Sequence, residues 1–388
     1  MLSTLCLFAC GEEDKSDTAS VDENEETDVE SGTESGESEE SENSTDENSE
    51  GGNADETIES LLDVSEYESG VYTFAGSGTY DSVDGSREQA AFADPAYLRL
   101  GPDGYIYIID RQTSILRKMS MDGTVQSVNF QGGYPKDPVG FDIADNGDIY
   151  MSSSEEHCIY KISEGVSSVF AGTCSVTPND GAAGYIDGAV AKFQFPKEVV
   201  LDSEGNLIVA DASNLVLRII SPDGITSTLA GLGPDEFGVI HDGPALSSIV
   251  YYPISVTVDD NDNVYFSGLD NCVRRVIDGN IERLAGLCQN YSNSGTTDGA
   301  AFDAKFDLPR GLYFNQSNEL MITDANTSRI RILSEDFSTV STLAGVNPGY
   351  YDGSLEEAKF DYPTSILDVG GAYLVTDSVN GRIRLIVP

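Results

Sequence analysis

Six prolines mark off a repeat, and that repeat limits the possible folds more than any other feature of the chain. Pro95, Pro138, Pro196, Pro253, Pro309 and Pro363 each open a short apolar run, such as EVVLD or SVTVD. A polar turn follows, GPDG at 101–104, DSEGN at 202–206 and DDNDN at 259–263 among them. The second run is then IYIID, IYMSS, LIVAD, VYFSG, LMITD or YLVTD, and the third is LRKM, YKI, LRII, VRRV, IRIL or IRLI. A fourth run closes on Phe-Ala-Gly or Leu-Ala-Gly at 170–172, 229–231, 284–286 and 343–345. Short β-branched runs bounded by Gly, Asn, Asp and Pro are strands and turns. A period of this length signals a repeat architecture of six four-stranded units.

The last unit is one strand short, because the chain stops at Pro388 directly after RIRLIV. The fourth-strand signature also occurs once ahead of the first proline, as VYTFAG at 71–76. A repeat array has to cap its exposed sheet edges or close on itself. The expected fold is therefore all-β, a six-bladed β-propeller closed by an N-terminal strand. A linear β-solenoid would leave residues 71–76 without a partner.

The stretches Pro196–Ile219 and Pro363–Leu385 follow the pattern proline, apolar strand, turn, V-[AT]-D-x-x-N, and then [IL]-R in the third strand. This pattern resembles the NHL repeat, and the resemblance extends over all six units, from about residue 70 to the end. It implies a propeller. It does not imply one activity, because NHL propellers include RNA- and protein-binding platforms, extracellular modules of teneurin type and a few enzymes.

Ahead of the propeller, assigned to 70–388, residues 1–10 read as a lipoprotein-type signal segment. Leu7-Phe8-Ala9-Cys10 resembles a bacterial lipobox, with Cys10 as the lipid-modified residue. Residues 11–69 form an acidic Ser/Glu-rich linker that is too poor in apolar side chains to fold and is expected to be disordered. It would hold the propeller away from a membrane. The chain as a whole carries a formal charge of −46. Nucleic-acid binding needs clustered Lys and Arg to neutralise phosphates, so nucleic acid is excluded as a partner and a membrane is expected only through the lipid anchor.

Beyond the leader there are four cysteines, Cys158, Cys174, Cys272 and Cys288. The first of each pair enters a third strand and the second lies just past an Ala-Gly, so both pairs meet at one end of a hairpin. Bridges Cys158–Cys174 and Cys272–Cys288 are expected, and with them an oxidising, extracytoplasmic compartment.

Asp110/Arg117, Asp211/Arg218, Asp324/Arg331 and Asp377/Arg384 repeat at one spacing. A single active site needs no fourfold copy, so these pairs read as structural ion pairs. Blade 2 has Ser153 and Tyr160 at the equivalent places, and blade 4 has Ser267 and Arg274.

Long loops join each fourth strand to the next proline, and five of them carry Asp-Gly, at Asp84, Asp187, Asp242, Asp298 and Asp352. The repeated Asp-Gly reads as a turn, and the Ala-Lys-Phe that follows in three loops reads as packing between blades. The same face gathers Tyr80, Tyr185, Phe237, Tyr291 and Tyr350. These tyrosines and aspartates, with the variable segments at 178–184, 234–240 and 290–296, are the candidate ligand contacts.

No metal or catalytic residue is assigned. The two histidines, His157 and His241, have no partner at metal-ligand spacing. No acid stands out against the repeat as a catalytic residue would. The expected function is non-enzymatic recognition of a protein or glycan by the loop face, tethered at a bacterial cell envelope. The alternative is a calcium-dependent hydrolase or lactonase of the six-bladed type, because oxygen ligands for calcium are plentiful. No cofactor is expected, and the composition leaves room for calcium.

Overall fold

The computed structural model describes residues 62–177, 180–234, 242–288 and 294–388. Cys10, residues 11–61 of the acidic segment, Phe237, His241 and Tyr291 lie outside the described residues. The described chain is a six-bladed β-propeller. Blade 3 is typical: Pro196–Leu201, Leu207–Asp211, Val216–Ile220 and Thr226–Ala230 form an antiparallel meander in that order. The first strands of neighbouring blades pack against one another around the whole ring, which makes them the inner wall. Small residues at the third position of four of these strands, Gly140, Ser255, Gly311 and Ser365, permit that approach. A Cβ on Gly140 would lie 2.5 Å from Cα of Glu198 in the next blade.

Blade 6 closes the ring as expected. Gly70–Ala75 pairs antiparallel with Arg382–Val387, Gly70 opposite Val387, outside Tyr373–Asp377 and Pro363–Asp368. Packing ahead of this strand extends to Leu62, which is buried in the same apolar cluster as Phe74. Six apolar clusters each lie between two adjacent blades, the one between blades 6 and 1 included. No blade has a core of its own. Closure buries the last inter-blade interface and pairs the exposed edge of Arg382–Val387 together.

The Asp-Gly loops do more than turn. Gly85, Gly188 and Gly353 bridge to Val125, Thr226 and Val71, the outer strands of the blades their loops lead into. Gly243–Pro244 and Gly299–Ala300 add short fifth strands to blades 4 and 5 in the same way. The Ala-Gly signature also has a steric origin. Gly231 sits at φ +106 with the carbonyl of Leu215 where its Cβ would be, 2.5 Å away, a conformation open to glycine alone.

Both expected disulfides are present, Cys158–Cys174 and Cys272–Cys288, with Cα atoms 5.1 and 5.3 Å apart. Closing a loop of this size contributes about 3 kcal/mol by constraining the unfolded chain.

Candidate functional site

The aspartate ending each second strand organises the loop face. Asp211 is fully buried. It accepts hydrogen bonds from the backbone N–H of Gln194, two residues before the inner-strand proline, and from Nδ2 of Asn214. Asp307 and Asp361 N–H groups donate to Asp324 and Asp377 in the same way. This accounts for the D-x-x-N spacing: the asparagine side chain reaches back to the aspartate while also donating to Gly184 O, in the preceding loop.

The paired arginines are the next layer, and they hold more than the sequence reading assigned them. Arg218 is fully buried. Its Nη1 donates to Asp211 at 2.9 Å and to Lys192 O at 3.1 Å; its Nη2 donates to Ile186 O at 2.8 Å and to Asp187 at 2.5 Å. Phe193 lies 5.1 Å under the guanidinium. Arg117, Arg331 and Arg384 repeat this arrangement with Asp110 and Asp84, Asp324 and Asp298, and Asp377 and Asp352. Each Arg therefore bridges a hairpin aspartate and an Asp-Gly aspartate from the incoming loop. The Lys-Phe of Ala-Lys-Phe supplies a carbonyl and a ring to the same cation. In blade 2, Ser153 donates to Lys136 O at 2.6 Å instead, and Tyr160 to Glu156 at 3.0 Å. In blade 4, Arg274 turns to the buried Asp270, 2.5 Å away.

The candidate ligand residues thus fall in two groups. Asp84, Asp187, Asp298 and Asp352 each keep part of the carboxylate in solvent while holding an arginine. Asp242 accepts from the backbone N–H of Arg283 at 3.0 Å. Tyr185 and Tyr350 hydrogen-bond Thr228 and Thr73, each at 2.8 Å, and lie over Arg218 and Arg384. Tyr80 is the most exposed of the three and hydrogen-bonds Gln112. Tyr185 and Tyr350 stand against the outer strands, whereas Tyr80 lies near Asp94 and Arg111, beside the inner-strand Pro95.

Burial is the largest influence on the hub aspartates. It pushes Asp110 and Asp377 up from the ordinary carboxylate range, Asp211 to about 6 and Asp324 to about 7, against the pull of their arginines. Asp142 and Glu198 are raised for the same reason. The folded chain therefore holds protons between about pH 4 and pH 7 that the unfolded chain has released, so stability should rise as pH falls through that window. His157, held below 6.5 by burial, opposes this. So do Asp84, Asp148, Asp180 and Asp259, whose hydrogen bonds together outweigh desolvation and hold them below the ordinary range; their effect is confined to the acid end of the window. The thermal midpoint is expected to be higher at about pH 5.5 than at pH 8. A flat or inverted profile would show the ion pairs holding these carboxylates charged throughout.

The inner wall corrects one expectation. Glu198 does break the repeat: the third inner-strand position is otherwise Tyr, Gly or Ser. Its carboxylate, 1 % exposed, meets Arg99 of blade 1 at 2.8 Å and accepts from Ser255 Oγ of blade 4 at 2.5 Å. Arg99 also pairs with Asp142 of blade 2 at 3.4 Å. One buried network therefore ties four inner strands together. A charge inside an inner-strand run was the signal, and repeat averaging hid it. Both carboxylate oxygens of Glu198 accept from other blades, Oε1 from Arg99 and Oε2 from Ser255 Oγ and Val256 N–H, so Glu198 acts as a cross-blade tie.

Where the loops reach the inner strands, the backbone departs from the usual. Asp137, Phe195, Tyr252, Leu308 and Tyr362 immediately precede inner-strand prolines and have φ between 44 and 62°. Positive φ in a non-glycine residue costs about 1–3 kcal/mol, and a following proline restricts the backbone further. Side chains of the neighbouring turns hold two of them. Phe195 N–H donates to His157 Nδ1 at 3.2 Å and Leu308 N–H to Asn271 Oδ1 at 2.9 Å. Tyr252, Leu269, Leu308 and Tyr362 pack with Ile254 and Ala325 into an aromatic and aliphatic collar across blades 4 to 6. Arg310, one residue past Pro309, donates to Tyr362 Oη at 3.1 Å. None of these side chains serves the Asp–Arg wiring. On the blade 2 to 3 side, a cleft of about 360 Å³ is lined by His157, Phe195, Gln194, Lys136 and Glu155 among others. The Phe195 ring meets His157 edge-on with centroids 4.7 Å apart.

Among the described residues, one group of metal-type donors converges, Asp270 with Cys272 and Cys288. Its two sulfurs are joined to each other in a disulfide, so they are not thiolate ligands.

No family model matches the chain. Teneurin-m of Drosophila melanogaster is 24% identical over 298 residues, 68% of this chain and 10% of that protein. NHL repeat-containing protein 2 of Bos taurus is 23% identical over 306 residues, 67% of this chain and 41% of that protein. The chain thus spans less than half the length of these relatives. Among solved structures, an auxiliary nutrient binding protein from Bacteroides thetaiotaomicron superposes with a TM-score of 0.64 at 16% identity, covering 82% of this chain and 76% of that one. At that identity the likeness is one of fold.

Proposed function

We propose that this chain, an NHL-type six-bladed propeller, is a binding module that recognises a glycan at the inner end of its loop face. The observation that carries this reading is a set of strained aromatics, Tyr252 and Tyr362 in the collar and Phe195 in the blade 2 to 3 cleft, at positions outside the Asp–Arg wiring. Strain of this kind persists at sites where the surrounding structure over-determines it, and ligand clamps are among them. Partly exposed rings beside amide, hydroxyl and charged groups are what a sugar ring and its hydroxyls require. The nutrient-binding protein of related fold supports a binding role. The two disulfides point to an oxidising compartment outside the cytoplasm. A lipid on Cys10 and the acidic segment 11–69 would hold the 70–388 propeller at a bacterial envelope. Tyr80, with the outer rim of Tyr185, Tyr350 and the Asp-Gly aspartates, would meet other parts of a long ligand.

The test is calorimetric titration of the full chain with neutral and acidic oligosaccharides. Binding is expected, and Phe195→Ala or Tyr252→Ala should weaken it at least about tenfold, the loss typical of a buried aromatic anchor. Capture of a protein partner with no sugar binding would move the reading to protein recognition. Calcium-dependent turnover of a lactone or ester would replace it with the hydrolase.

A further inference from the structure

We propose that Arg310 receives the carboxylate of an acidic sugar at the collar, an inference that rests on the glycan reading of this face. Its setting differs from that of the other buried arginines. Arg117, Arg218, Arg331 and Arg384 each hold two carboxylates, Arg99 holds Asp142 and Glu198, and Arg274 holds Asp270. Arg310 is 7% exposed, and among the described residues no carboxylate lies within ion-pair distance of it. Its partner is a neutral phenol: Nη1 donates to Tyr362 Oη, and the Tyr362 ring lies 5.5 Å from the guanidinium. Nε has no acceptor. The fully buried Tyr97 of blade 1 stands beside Arg310 of blade 5, its Oη a second neutral phenol within interaction distance of the guanidinium.

A guanidinium does not relieve burial by losing its proton, so its charge stays. Burying such a charge without a counter-ion is costly. In a chain of net charge −46, a carboxylate for Arg310 would be easy to supply from the protein. Arg310 lies at one of the places where the loop face meets the inner wall, directly after collar residue Leu308 and Pro309, with no carboxylate of the described chain beside it. A planar carboxylate matches the guanidinium fork, the buried Tyr97 Oη steadies the guanidinium, and the collar offers apolar surface to the sugar ring. The acidic surroundings favour a ligand with one carboxylate over a polyanion.

The experiment measures thermal unfolding and calorimetric binding of the full chain with glucuronate and galacturonate, with glucose and galactose, and with sulfate at matched ionic strength. The uronates are expected to raise the midpoint saturably and to bind at least about tenfold more tightly than their neutral parents. Arg310→Met should fold with an unchanged or higher midpoint, because it removes an uncompensated charge, and should lose the uronate preference while keeping neutral-sugar binding. Tyr97→Phe should weaken uronate binding alone. The proposal is overturned if Arg310→Met fails to fold or is as unstable as Arg218→Met, since Arg310 would then be structural. It is also overturned if uronates and neutral sugars bind alike, in which case the glycan reading stands without it. A sulfate effect equal to that of the uronates would make this a general anion site and overturn the sugar assignment. Absence of all sugar binding would end both readings.

Discussion

A chain that starts at Gly78 is expected to lose the closed ring, whereas one that starts at Leu62 should keep the stability of the full chain. The missing segment carries Gly70–Ala75, the outer strand of blade 6. It also carries Val71, Phe74 and Ala75, each at most 2 % exposed, from the clusters between blades 5 and 6 and between blades 6 and 1. Fully burying a Val or Phe side chain stabilises by about 1.5–3 kcal/mol each, before the strand hydrogen bonds are counted. Native domains are stable by only about 5–15 kcal/mol in total. The truncation also exposes Arg384, because Thr73 lies opposite it and donates its backbone N–H to Asp352, the second carboxylate of that arginine. The loss therefore spreads from one strand to the wiring of the whole blade. Size-exclusion chromatography and a hydrophobic dye would show an expanded or associated species. A monomeric, cooperatively unfolding product from Gly78 would mean that closure is not what holds the ring.

Arg218→Met should cost about 3–5 kcal/mol, the range for removing one partner of a buried ion pair. The methionine fills much of the volume over Phe193, so lost packing is small. What remains unpaired is Asp211, buried and still tied to Gln194 and Asn214, together with the carbonyls of Lys192 and Ile186. Asp211 already takes up a proton more readily than an exposed carboxylate. Losing its cation raises that affinity further, so the variant should be less impaired at about pH 5 than at pH 8. Adding Asp211→Asn should recover part of the loss by removing the uncompensated charge. Chemical unfolding of the two variants at both pH values measures this. A cost below about 1 kcal/mol at pH 8 would place the pair with the weak surface bridges.

The hairpin-level features were legible before the structure because they depend on register along a short piece of chain. Asp211 and Arg218 lie on adjacent strands joined by a tight turn, so counting residues across the turn brings them together. The same count placed both disulfides. The second carboxylate of each arginine was not legible in this way. Asp187 looked like the corner of a turn, and only the path of its loop over the outer strand brings it to Arg218. Glu198 was passed over for a different reason. Its partners Arg99 and Ser255 come from other blades, 99 and 57 residues away in the chain, and register within one hairpin does not bring them together. Arg310 was hidden by the same averaging. Its significance lies in having no carboxylate, which emerges only once every neighbour is known.

The sequence by itself determined the six blades, the strand that closes them, the two bridges and the hairpin ion pairs, because each follows from strand period, turn chemistry and spacing within one repeat. The tertiary structure alone decided which loop aspartate completes each arginine, which inner-strand charges meet across the ring, and which aromatics gather where the loops end. Those contacts join residues of different blades, and their geometry is set by how the blades pack.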